Sequence, residues 1–338
     1  RGRGARERLM DVLLVAVIVT ALLFDFTNGF HDAANAVATS ISTRAVPPNV
    51  ALAAAAILNV VGAVVSTHVA ATLAKGIVDP GVVTNPVILG GLVGAITWNL
   101  LTWWWALPSS SSHCLIGGIA GAVLATSGSD GVLWTGILYK VLIPTLLAPL
   151  VGFSVGIGLM VAILWIFRRA NPGSLMRRFR IAQLASASIM AFSHGSNDAQ
   201  KTMGVITLAL FAAGELPALE VPLWVKLASA FTIGIGTYSG GRRIIRTLGM
   251  RLVKLTPAHG FAAETAASGV LLATAYLGFP VSTTHVITTS VMGVGATQRL
   301  SAVKWGLSLD IFAAWLLTLP AAGLVGALFA KAAVSIFG

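Results

Sequence analysis

The sequence predicts an all-α integral membrane protein, with about 10–12 membrane segments in two inverted repeats containing broken helices and re-entrant hairpins. Three observations carry this. The 338 residues are 56% hydrophobic and 10% charged, where a soluble domain carries about 25% charged residues. Mean hydropathy is +0.88. Apolar runs long enough to span a bilayer recur from end to end, and two polar motifs embedded among them each occur twice in the same order.

The apolar runs come in sequence at 9–26, 49–71, 87–107, 150–167, 223–239 and 303–337, the last long enough for one kinked helix or a pair. No ten-residue alternating pattern is present, which points to a helical bundle and away from a barrel. The run 9–26 resembles a signal peptide, but no small-residue cleavage site follows it, so it reads as a membrane helix. The single cysteine, Cys114, excludes an internal disulfide.

The net charge of +11 is concentrated in segments 1–8, 168–180 and 242–254. Basic loops on the cytoplasmic face account for such clusters. No folded polar face is present that would present the charge to nucleic acid. Segment 168–180 reads as a short basic linker in the cytoplasm, dividing a first half, 1–167, from a second, 181–338. The N-terminal arginines favour the cytoplasm too, and inversion of the halves sets the two preferences against each other. Segment 242–254 reads as an amphipathic surface helix.

The duplication rests on two motifs. NGFHDAANA (28–36) matches HGSNDAQKT (194–202) at Gly29/Gly195, Asp32/Asp198 and Ala33/Ala199. LPSSSSHCL (107–115) matches FPVSTTHVI (279–287) at Pro108/Pro280, at three consecutive hydroxyl residues and at His113/His285. Internal duplication is a common plan of secondary transporters.

An aspartate at the centre of a membrane helix costs about 2.5–3.5 kcal/mol, so Asp32 and Asp198 are expected to serve a site. Glycine and clustered amides around them suggest briefly unwound helices, whose free carbonyls hold a cation and whose free N–H groups meet an anion. Pro108 and Pro280 end the preceding helices, leaving the hydroxyls at the N-termini of the next ones. Two such positive dipole ends can clasp a tetrahedral oxyanion. Ordinary capping explains part of this pattern, but four consecutive serines exceed what one cap requires. His113 and His285 read as helix-start residues, since no set of metal-ligand spacing accompanies them. Glu264 is a further intramembrane acid, a proton carrier or the partner of a base. The pairs Gly90/Gly94, Gly117/Gly121 and Gly152/Gly156 read as helix-packing contacts. Trp103–Trp105 suit interfacial anchors or hairpin packing.

Together NGFHDAANAVAT, SHGSNDAQK, LPSSSSH and FPVSTTH resemble the inorganic phosphate transporter (PiT) family, whose members carry phosphate, with a sulfate-carrying branch. The resemblance spans both halves. It implies a transport domain, a scaffold domain and a homodimer in the lipid bilayer. It also implies anion binding by Ser110, Ser111, Ser112, Ser282, Thr283 and Thr284, and a coupling-ion region of His31, Asp32, Asn35, Asn197, Asp198 and Lys201. The sodium-coupled pattern of the family, G-x-N-D-x-x-N, is broken here, because His31 and Lys201 each stand where Asn is expected. The sequence is therefore similar to the bacterial, proton-coupled, low-affinity branch, which carries phosphate partly as a neutral metal complex.

The expectation is a symporter importing inorganic phosphate across the cytoplasmic membrane as a multi-pass protein. Protons are the expected coupling cation, with no cofactor and no fixed metal site. The alternatives are a sulfate permease of the same family and a sodium-coupled phosphate symporter. A pure anion channel and an intramembrane hydrolase are the readings from other classes. The duplicated Ser/His element suits a symmetric clasp better than a single oriented nucleophile, so an enzyme is not expected.

Overall fold

The computed structural model describes residues 2–337. Among these residues, six helices precede the central connection: α1 (Gly2–Ser42), α2 (Pro48–Ala63), α3 (His68–Gly76), α4 (Asn85–Trp104), α5 (Ser111–Ser127) and α6 (Trp134–Ile166). Six follow it: α7 (Pro172–Ala212), α8 (Leu223–Ser239), α9 (Arg242–Arg246), α10 (Pro257–Tyr276), α11 (Thr283–Ala296) and α12 (Trp305–Phe337). Each helix of the first set has its counterpart six places on.

Packing follows the same pairing. α1 lies on α8 and its counterpart α7 on α2; α4 lies on α1 and α10 on α7; α5 lies on α12 and α11 on α6. The equivalent helices α1 and α7 also touch, and they run antiparallel. Asp25 meets Thr202, Asp32 meets Asp198 and His194, and Thr43 meets Gln183. Equivalent helices running in opposite senses make the halves an inverted repeat.

Glycines set the closest approaches. A methyl group on Gly29 would strike the Ile233 carbonyl of α8, and one on Gly195 the Asn59 backbone of α2. Gly90 and Gly94 of α4, and Gly117 and Gly121 of α5, lie against the α12 backbone, while Gly152 and Gly156 of α6 meet α11.

Two helices differ from expectation. Segments 28–36 and 193–201 are not unwound, because α1 and α7 are continuous through them. Neither segment contains proline, and their key glycines serve helix contact instead of a break. The expected linker 168–180 is mostly helix. Asn171 caps α7 by accepting from the Gly173 and Ser174 amides at 3.0 and 3.4 Å, with Pro172 at the first position, so Arg177, Arg178 and Arg180 lie on α7 itself.

Among the described residues, four helices are long and apolar enough to cross a membrane, or five spans if the bent pair α2/α3 counts as one. The 10–12 segments expected from sequence counted short broken ones as well. Segment 303–337 forms a single helix, Trp305–Phe337, despite Pro320. Segment 242–254 is amphipathic, with Ile244, Ile245, Leu248, Leu252 and Val253 buried and Arg242, Arg246, Arg251 and Lys254 exposed, although it forms only a short α turn and a π turn.

Charge divides between the two ends. Phe179 contacts Phe167 and Phe261, and His259 meets Gln298, which gathers Arg168, Arg177, Lys254 and Arg299 at the end where α1 finishes. The loops equivalent to those of Lys254 and Arg299 carry Asp79 and Asp130 at the other end, where Asp79 N–H bonds Gly131 O at 2.9 Å. The N-terminal arginines Arg1, Arg3 and Arg6 lie outside the residues whose side chains are described.

Candidate functional site

The N-termini of α5 and α11 meet inside the protein. Ser110 and Ser282 are the N-caps, each accepting from an amide three residues on, His113 N–H and His285 N–H, at 3.2 Å. The His113 and His285 rings contact edge to face at 4.9 Å. His285 stacks on Trp315 at 3.8 Å, and Trp315 donates to Pro108 O at 2.8 Å. Thus α12 ties the second helix start to the tip of the first hairpin. The Val281 carbonyl accepts from Ser112 Oγ and from Lys201 Nζ, both at 3.2 Å.

The carboxylates arrive from α1 and α7. Asp32 accepts from Ser111 Oγ and, at 3.2 Å, from Thr284 Oγ1, and its Oδ1 lies 2.7 Å from His31 Nδ1. Asp198 accepts from Lys201 Nζ one turn on and from Thr283 Oγ1 at 3.1 Å. His194 Nε2 lies 3.1 Å from Asp198 Oδ2, at ion-pair distance without hydrogen-bond alignment. Asn35 Nδ2 donates to Thr283 and Thr284 at 3.1 and 2.9 Å, joining α1 to the opposite half. All of these groups are buried.

Eleven of the twelve predicted residues therefore form one connected cluster. Ser111, Thr283 and Thr284 meet carboxylates, Ser112 meets a carbonyl, and Ser110 and Ser282 serve as caps. The exception is Asn197, which is buried with neither side-chain polar atom hydrogen-bonded. The unwound carbonyls expected to coordinate a cation are not formed, since the helices through both motifs are continuous. Side chains offer the ligands instead. Ligand atoms of Asp32, His194 and Asp198 lie within 4.8 Å of one another, a separation that one ion can bridge.

Motif matching leaves out two residues at this junction. His194 reaches from Asp198 to Asn59, whose Oδ1 lies 3.2 Å from its Nδ1. Asp25 is fully buried and bonds Thr202 across the α1/α7 contact. Its signal in the sequence is spacing: it lies seven residues before Asp32, two turns along the same helix face, as an acid inside an apolar run. Glu264 sits apart, where α10 meets α1 and α7. It accepts from Thr39 and Ser186 at 2.5 Å and from Gln183 at 3.1 Å, so its partners are neutral donors and the expected alternative of a basic partner is not met.

A family model described as the phosphate transporter family matches residues 28–326. A Mycobacterium bovis protein named a probable low-affinity inorganic phosphate transporter is 50% identical over 322 residues, covering 93% of this chain and 76% of its own. Proteins with the same name from Rhizobium meliloti and Bacillus subtilis are 48% and 42% identical, covering 94% of this chain in each case and 95% and 97% of their own. A solved structure named as the sodium-dependent phosphate transporter superposes with a TM-score of 0.89 over 96% of this chain and 100% of its own. At 24% identity that likeness is one of fold. With all four motifs gathered in one buried junction and the family model spanning both halves, the chain belongs to the phosphate transporter family.

Proposed function

We propose that the chain imports inorganic phosphate by proton-driven symport, taking part of it as a neutral complex with a divalent metal. As a family member it is a multi-pass membrane transporter and not an enzyme. The observation that carries the coupling assignment is the buried pair of Lys201 and Asp198. A sodium ion about 4 Å from that ammonium would be repelled by about 4 kcal/mol at an effective dielectric of about 20.

Charge counting supports the rest of the reading. Two carboxylates, Asp32 and Asp198, against one ammonium leave one net negative charge at the junction. Phosphate adds further negative charge, so it needs a companion cation. A divalent metal that arrives bound to phosphate would supply that charge, its repulsion by Lys201 offset by the phosphate it carries, and Asp32, His194 and Asp198 would hold it in place of the hydroxyls of Ser111 and Thr283. Those hydroxyls, with the two helix N-termini, are then free to bond phosphate oxygens. The basic end, with Arg168, Arg177, Lys254 and Arg299, faces the cytoplasm on this reading.

Uptake of labelled phosphate into proteoliposomes tests it. A pH gradient or an added divalent metal is expected to drive accumulation, and a sodium gradient at constant pH is expected to have no effect. Strict sodium dependence would overturn the assignment, and downhill flux without accumulation would indicate a channel.

A further inference from the structure

We propose that Asp25 carries the proton that couples phosphate movement to the pH gradient. The proposal rests on the proton-driven reading above and names the group responsible. Asp25 stands outside the anion clasp, two turns before Asp32 on α1.

The other buried acids are each held by several partners. Asp32 has His31, Ser111 and Thr284; Asp198 has His194, Lys201 and Thr283; Glu264 has Thr39, Gln183 and Ser186. Asp25 has one. Thr202 donates its hydroxyl to Oδ1 at 2.9 Å, and Oδ2 has no hydrogen-bond partner among the described residues. A carboxylate shut away from water with a single neutral donor is poorly compensated. A proton removes that charge without requiring any ion ligand to be built.

The surroundings leave the proton as the group's available counter-charge. From α7 it is faced by Asp198 and Lys201, and these are paired with each other. Neither α2 nor α4 carries an ionisable side chain, and α8 carries only Lys226 and Tyr238. The contacts of α9, α10 and α11 with α1 include Gly249 of the π turn against Ala38, Glu264 on Thr39 and Thr283 on Asn35, all beyond Asp32, and Gly241, just before α9, against Phe30 and His31, where the nearby cation Arg243 lies over Trp103 and Trp104. α5 meets Asp32 through Ser111, and its ionisable groups are His113 and Cys114.

The position also gives the proton a route of influence. Thr202 follows Lys201 directly on α7. Deprotonated Asp25 competes with Asp198 for the same ammonium, whereas protonated Asp25 leaves Lys201 to Asp198. The step balances simply: a carboxylate takes a proton from the acidic side and releases it to the other side.

The test uses the full chain in proteoliposomes and two measurements, accumulation under an imposed pH gradient and exchange of labelled for unlabelled phosphate without a gradient. Asp25→Asn is expected to lose gradient-driven accumulation while keeping exchange. Asp25→Glu is expected to restore accumulation. If Asp25→Asn still accumulates phosphate under the gradient that drives the wild type, the assignment is wrong. If it loses exchange as well, Asp25 is a structural residue and the assignment is equally overturned. A wild-type protein that ignores the pH gradient defeats the proton-driven reading itself, a result visible before any variant is made.

Discussion

Replacing Lys201 with methionine keeps most of the side-chain volume and removes the ammonium. Lys201 is fully buried and bonds both Asp198 and the Val281 carbonyl, so the variant strands Asp198 with His194 and the Thr283 hydroxyl. Breaking a buried pair by removing one member costs about 3–5 kcal/mol. At about 2.1 cal/mol/K per residue, the unfolding entropy of 338 residues is about 0.7 kcal/mol/K, so Tm should fall by about 4–7 °C. Membrane helices retain structure on unfolding, which lowers that entropy and makes the expected shift a minimum. Lys201→Met with Asp198→Asn removes both charges, and most of the loss should return. The assay is thermal unfolding of the detergent-held protein, followed by the fluorescence of its nine tryptophans. A single variant within about 1 °C of wild type, or a double variant as unstable as the single, would refute the reasoning.

Three further outcomes are expected. Ser111→Ala and Thr283→Ala should each weaken phosphate binding by about tenfold or more, from loss of a hydrogen bond to a charged ligand worth about 1.5–3 kcal/mol, as read by titration with labelled phosphate. Asp32→Asn and Asp198→Asn should each abolish concentrative uptake, because one acid from each half serves the same junction; normal accumulation by either variant in proteoliposomes would contradict a shared site. Gly29→Ala and Gly195→Ala should each destabilise by about 1–3 kcal/mol through collision with α8 and α2, whereas glycines in open helix positions would gain about 0.5–1 kcal/mol from alanine, so the sign of the Tm change decides.

Much of this protein is written in one dimension. Composition and run length place the chain in a bilayer because so many apolar runs, each long enough to span the hydrocarbon core, are stable only away from water. The duplicated motifs identify Asp32, Asp198 and the hydroxyls at 110–112 and 282–284, because residue type and offset survive without coordinates. Proline followed by Ser or Thr announces the starts of α5 and α11, since a helix stop and a helix cap are local matters. Folding alone decided the rest. A glycine beside an acid is consistent with an unwound helix or with close packing, and only the presence of α8 against Gly29 and α2 against Gly195 selects the second. Inversion emerges from the antiparallel meeting of α1 and α7, and the basic end from loops distant in sequence. That Lys201 neutralises Asp198 while Asp25 is left with one hydroxyl depends on which faces of two 41-residue helices meet, and long-range packing sets that contact.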